Sequence, residues 1–84
     1  MKKSLQNVYS PCDGFVKNVL VTPSAYVYEW ETLFVIETNE KKEVEVSIGI
    51  SGHITSVEIS QGQDVTQNMV LTTLKDDLEI TGSD

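Results

Sequence analysis

The feature that most constrains this chain is an internal repeat. Shifted by 38 positions, the sequence matches itself without a gap: Gly14 meets Gly52, Val16 meets Ile54, Val19 meets Val57, Val21 meets Ile59, Val27 meets Val65, Leu33 meets Leu71 and Ile36 meets Leu74. The apolar spacing inside the repeat is that of strands. "EVEVSIGI" alternates strictly, with Val44, Val46, Ile48 and Ile50 on one face and Glu43, Glu45, Ser47 and Gly49 on the other. β-Branched residues crowd "FVKNVLV", "TLFVIET" and "HITSVEI". Few segments carry helical periodicity. One half of such a repeat cannot cover its own apolar face, so the two halves must pack together.

Both halves share an irregularity. Val16 to Val19 and Ile54 to Val57 are odd steps in a pattern of period two, and an odd step flips the inward face. This predicts a bend or bulge at Lys17–Asn18 and again at Thr55–Ser56. Gly14 and Gly52 open the halves, Gly62 supports a turn before Val65, and Asn68 can hold a left-handed turn conformation. Asn39 is a good first residue of a β-turn. The tip of a hairpin is therefore expected at Asn39 to Lys42, with "TLFVIE" and "EVEVSIGI" as its arms. The expected fold is all-β: a flattened barrel or sandwich of two quasi-symmetric halves. It should span residues 8–75, after a flexible segment at 1–7 and before an acidic, disordered tail at 76–84.

Composition narrows the function classes. Six basic against thirteen acidic residues leave a net charge of −7, which disfavours nucleic acid and anionic membranes as partners. No segment approaches the roughly 20 apolar residues of a membrane span, and "MKKSLQNVYS" lacks the apolar run of a signal peptide. Cys12 is the only cysteine, so no internal disulfide forms, and a cytoplasmic location is expected. Cys12 and His53 are each alone, and the acidic residues are not set at ligand spacing, so metal chemistry is not expected. No convergent catalytic set is visible, and the chain is not expected to be an enzyme. Cys12 reads as a quiet small side chain, and His53 as a ring that packs or faces solvent. Tyr26, Tyr28 and Trp30 alternate around Val27 and should lean outward. They either cover the end of a thin core or form a docking patch.

With these residues in view, the sequence resembles the biotinyl/lipoyl carrier domains. The recurring pattern of that family is G-x-[IV], V, G-D-x-V-x-x-G-Q-x-L-x-x-I-E, then a lysine three residues after the Glu. A second G-x-[IV] follows about eleven residues beyond the lysine. This chain supplies Gly14-Phe15-Val16, Val21, Val27, Leu33 and Ile36-Glu37, then Gly52-His53-Ile54, Ile59, Gly62, Val65 and Leu71. It departs from the pattern at Ser24-Ala25 for the first Gly-Asp, and at Trp30 and Asn68 where turn glycines are usual. Three residues beyond Glu37 stands Glu40, whereas eleven before Gly52 stands Lys41, so the hairpin is one residue longer than usual. No methionine flanks Lys41 or Lys42. Glu40-Lys41 is nearer to the Asp-Lys of lipoyl domains than to the Met-Lys-Met of biotinyl ones.

The resemblance implies a barrel-sandwich hybrid that presents one hairpin lysine for a swinging prosthetic group, biotin or lipoyl. Lys41 is the implied attachment residue and Lys42 the second choice, with Glu37, Asn39 and Glu40 framing the arm. The implied partners are a biotin or lipoyl ligase and a component of a carboxylase or 2-oxo acid dehydrogenase. The chemistry explains the demand on the hairpin. A deprotonated amine attacks an acyl-adenylate, the amide forms and the adenylate leaves, so the tip must be held still for that approach. The other reading is an unmodified module of the same fold that acts in protein–protein interaction, its lysines a solvated tip that keeps other strands off the edge.

Overall fold

The computed structural model describes residues 5–76. These form eight strands: β1 (Leu5–Tyr9), β2 (Gly14–Val19), β3 (Tyr26–Val27), β4 (Phe34–Glu37), β5 (Glu43–Val46), β6 (Gly52–Val57), β7 (Asp64–Val65) and β8 (Val70–Asp76). They make two antiparallel four-stranded sheets, ordered β1-β8-β6-β3 and β5-β4-β2-β7. This is the expected flattened all-β barrel of two quasi-symmetric halves.

The 38-residue shift governs the strand register. In the β2–β4 ladder Val16 pairs with Ile36 and Val19 with Phe34; in β6–β8, Ile54 pairs with Leu74 and Val57 with Thr72. Both ladders skip one residue at the same place, Lys17 in β2 and Thr55 in β6. The odd apolar steps are thus paired β-bulges, which keep Val16 and Ile54 inside while the chain re-aims. The equivalence also covers β1 and β5. Leu5 pairs with Lys75 and Val8 with Thr72, as Glu43 pairs with Glu37 and Val46 with Phe34. β1 therefore belongs to the domain, and the expected flexible segment at 1–7 overlaps it at residues 5–7. The tail expected at 76–84 overlaps β8 at Asp76, and the rest of both segments lies outside the described residues.

The core obeys the same pairing. Val8 and Val46, Val16 and Ile54, Val21 and Ile59, Val27 and Val65, Leu33 and Leu71, and Ile36 and Leu74 are all buried. Each such side chain stabilises the fold by about 1.5–3 kcal/mol, much of it offset by chain ordering. The exception in kind is Phe34, whose counterpart Thr72 is fully buried. Its hydroxyl donates to the Ser56 carbonyl, so the polar atom is satisfied.

One expectation about local structure is corrected. The strand expected through Ile50 stops at Val46. Beyond it, the Ile48 carbonyl accepts from Trp30 N–H at 2.8 Å and the indole ring lies over Gly49, where a Cβ would come within 2.6 Å of it. Ile48 and Ile50 pack against the core from a loop. The three turn positions that lack the usual glycine, Ser24, Trp30 and Asn68, keep a glycine-like backbone. Ser24 (φ 76°) matches Gly62 (φ 87°), and Trp30 (φ 63°) matches Asn68 (φ 72°).

Gly14 and Gly52 sit at equivalent close approaches. A Cβ on Gly14 would fall 2.3 Å from the Glu37 carbonyl oxygen, and one on Gly52 would fall 2.0 Å from that of Lys75. Since the obstacle is strand backbone, Gly14→Ala and Gly52→Ala should each lower stability by roughly 1–3 kcal/mol. Urea unfolding checks this. Equal losses at both sites are expected, and an unaffected midpoint in either would contradict the shared register.

Candidate functional site

The hairpin joining β4 to β5 links the two repeats, and its tip is built by Thr38. The Thr38 N–H donates to the Lys42 carbonyl and the Lys41 N–H donates to the Thr38 carbonyl, each at 2.9 Å. Between these bonds stand Asn39, Glu40 and Lys41. The Thr38 hydroxyl oxygen accepts the N–H groups of both Glu40 and Lys42 at 3.2 Å. A three-residue loop of this type ends on a residue with left-handed backbone, usually glycine. Here that residue is Lys41, with φ 67°. The turn therefore begins at Thr38, one residue earlier than the expected start at Asn39.

The sequence-derived candidates are brought together at this tip, and all occupy positions 37–42. Asn39, Glu40, Lys41 and Lys42 are exposed, while Glu37 is half-buried at the end of β4, paired with Phe15 and Glu43. Neither the Lys41 nor the Lys42 amine has a polar partner among the described residues. Lys17 is the contrast. It is the bulged residue of β2, and its amine reaches over β4 to form an ion pair with Glu43 at the first position of β5. The hydrogen bond from the Lys17 amine to Glu43, then the charge of Glu43, raise its pKa above 10.5; slight burial opposes this and Glu37 assists. The ion pair ties the base of the hairpin to the neighbouring strand.

Thr38, Lys17 and Glu43 are not among the candidate site residues read from sequence. A threonine hydroxyl capping the N–H two residues on is a known local device and is legible in "ETNEKK". The Lys17–Glu43 pair depends on strand order and on the bulge direction, which sequence does not carry. The aromatics lie elsewhere. Tyr26 meets Tyr28 and His53 edge-on, with ring centroids 5.0 and 4.9 Å apart, so His53 is both packed and exposed. Tyr28 and Trp30 are 67% and 69% exposed. Cys12 is half-buried against the core, its carbonyl accepting the Ser10 hydroxyl at 2.7 Å.

Chemically, the tip is a primary amine on a short, internally hydrogen-bonded loop that projects from a rigid sheet. No family model matches the chain, and no curated protein does. Among solved structures, the chain is similar to part of the Kluyveromyces lactis urea carboxylase, with a TM-score of 0.77 and 18% identity over 84% of this chain. The match spans only 6% of that carboxylase. The likeness establishes the shared fold.

Two outcomes test this geometry. Lys41→Gly should stabilise the protein by roughly 0.5–1 kcal/mol in urea unfolding, because it removes a Cβ from left-handed backbone. A loss of stability would mean the lysine side chain holds the tip. The Lys17 pKa is raised on folding, so its contribution is present below pH 10.5 and is lost as pH rises through the higher folded value. Glu43→Gln should bring the Lys17 pKa, followed by NMR titration of the side chain, back toward 10.5.

Proposed function

We propose that the chain is a non-catalytic carrier domain that presents Lys41 for covalent attachment of a biotin- or lipoyl-type arm. The observation that carries this reading is the placement of Lys41. It stands at the tip that joins two equivalent halves, exposed, with its amine unengaged, in a backbone conformation that glycine fills more cheaply. Lys42 is adjacent but belongs to the paired base of the loop, where its carbonyl is bonded to Thr38. The residues fit an amide-linked arm. Thr38 fixes the loop, the Lys17–Glu43 pair steadies its base, and Glu37, Asn39 and Glu40 frame the amine.

The similar structure is a carboxylase by name, which favours a carboxyl-carrying role with biotin over lipoyl. The reading assigns a ligase and a carboxylase or 2-oxo acid dehydrogenase component as partners, in the cytoplasm. In it the group supplies the carrying chemistry, while this chain orients the arm and offers its surface to successive active sites. A second reading, an unmodified interaction module, draws on the long tip without flanking methionines and on the exposed Tyr28 and Trp30.

Co-expression with a biotin ligase and, separately, a lipoyl ligase, followed by intact-mass measurement, decides between them. The expected result is a gain of one group, abolished in Lys41→Arg and retained in Lys42→Arg. Folded protein with no gain under either ligase leaves the interaction module. A gain that survives Lys41→Arg removes Lys41 from its role.

A further inference from the structure

The open edges of this fold are protected unequally. An edge strand exposes unpaired N–H and C=O groups and so invites another chain. β3 and β7 are two residues long, too short to template a neighbour. β5 presents Glu43 and Glu45. β1, its equivalent 38 residues earlier, has five residues, Leu-Gln-Asn-Val-Tyr, and no charge. Among the described residues it pairs with β8 alone.

The hydrogen-bond parity of β1 is fixed at Ser10, the next residue along the chain. The Ser10 N–H donates to Met69 and the Ser10 carbonyl accepts from Asn68, both at 2.8 Å. Alternate residues of an antiparallel strand bond to alternate sides. Gln6 and Val8 are thereby turned toward β8, and the backbone groups of Leu5, Asn7 and Tyr9 face away from it. In β5 the Leu33 N–H to Val46 carbonyl bond, 2.8 Å, sets the same parity and leaves the backbone of Glu43 and Glu45 outward. The Leu5 and Tyr9 side chains are 61% and 50% exposed.

We propose that β1 pairs antiparallel with β1 of a second copy of this chain, about a twofold axis at Asn7. In that register Leu5 lies opposite Tyr9 of the second copy, Asn7 opposite Asn7, and every outward backbone group meets a complement. Slipping the register by one residue brings groups already bonded to β8 to the seam. Slipping it by two leaves an apolar side chain unmatched. The strand is complementary to itself in charge as well. A chain of net charge −7 repels its copies, so contact must fall on an uncharged element, and β1 is one. The same pairing at β5 would set glutamate against glutamate. The product is one continuous sheet through both copies, ordered β3-β6-β8-β1-β1-β8-β6-β3, with the hairpin of β4 and β5 free in the other sheet of each. The inference holds whether or not Lys41 is modified.

Sedimentation equilibrium of the full chain should show a monomer–dimer equilibrium with a dissociation constant of roughly tens of micromolar, as suits a small interface. Asn7→Pro removes an outward N–H, which an edge strand tolerates, and should weaken the dimer at least about tenfold. Asn7→Asp and Asn7→Lys should each be monomeric alone and should dimerise when mixed in equal amounts. In the unmodified sequence, exchange of the Asn7 and Tyr9 amides should slow with rising concentration. A protein monomeric up to roughly millimolar concentration overturns the proposal. So does a dimer whose strength none of these changes alters.

Discussion

The structure depends on one constraint: each half lends its edges to the other. The sheet centred on β6 and β8, from the second half, is bordered by β1 and β3 from the first. The sheet centred on β2 and β4, from the first half, is bordered by β5 and β7 from the second. A two-stranded centre is unstable in water by itself. Neither half can therefore close its core without the other, and the core residues come in equivalent pairs because the two halves meet across a single interior. The paired bulges at Lys17 and Thr55 serve this arrangement. They re-aim each central strand so that Val16 and Val19, or Ile54 and Val57, both turn toward the core despite their odd spacing.

Most of the fold was legible because the repeat is written in side-chain volume. Matching Val16 to Ile54 or Leu33 to Leu71 needs no knowledge of the third dimension, and an odd apolar step in a strand has few physical solutions. β1 was harder to see. It carries one buried valine, Val8, beside exposed Leu5, Asn7 and Tyr9 and half-buried Gln6, and it is a strand chiefly because β8 pairs with it. The apolar alternation past Val46 misled for a related reason. Ile48 and Ile50 do pack against the core, yet they do so from a loop, and apolar alternation alone does not distinguish that from a strand.

The candidate site divides along the same line. The tip, its lysines and their exposure follow from local sequence, since Asn39, Glu40, Lys41 and Lys42 sit where two apolar arms must reverse. What holds the tip is less accessible. Thr38 acts through its hydroxyl over a distance of four residues at most, and could be inferred. Lys17 and Glu43 are 26 residues apart and meet only because β4 lies between β2 and β5. Backbone geometry persists where residue type does not: Ser24 stands as Gly62 does, and Trp30 as Asn68 does. The left-handed conformation is imposed by turn closure, and the side chain accommodates it at a cost of about 1–2 kcal/mol.

The interlocked sheets bear on what happens if the chain is severed beside Lys41. A nick there separates the two repeats covalently, yet each fragment keeps strands hydrogen-bonded inside both layers of the other. The pieces would stay clasped, as two hands with laced fingers do, and the exposed loop could be cut without the body coming apart. The exposed Lys41 thus occupies a place where damage is of little consequence for the rest.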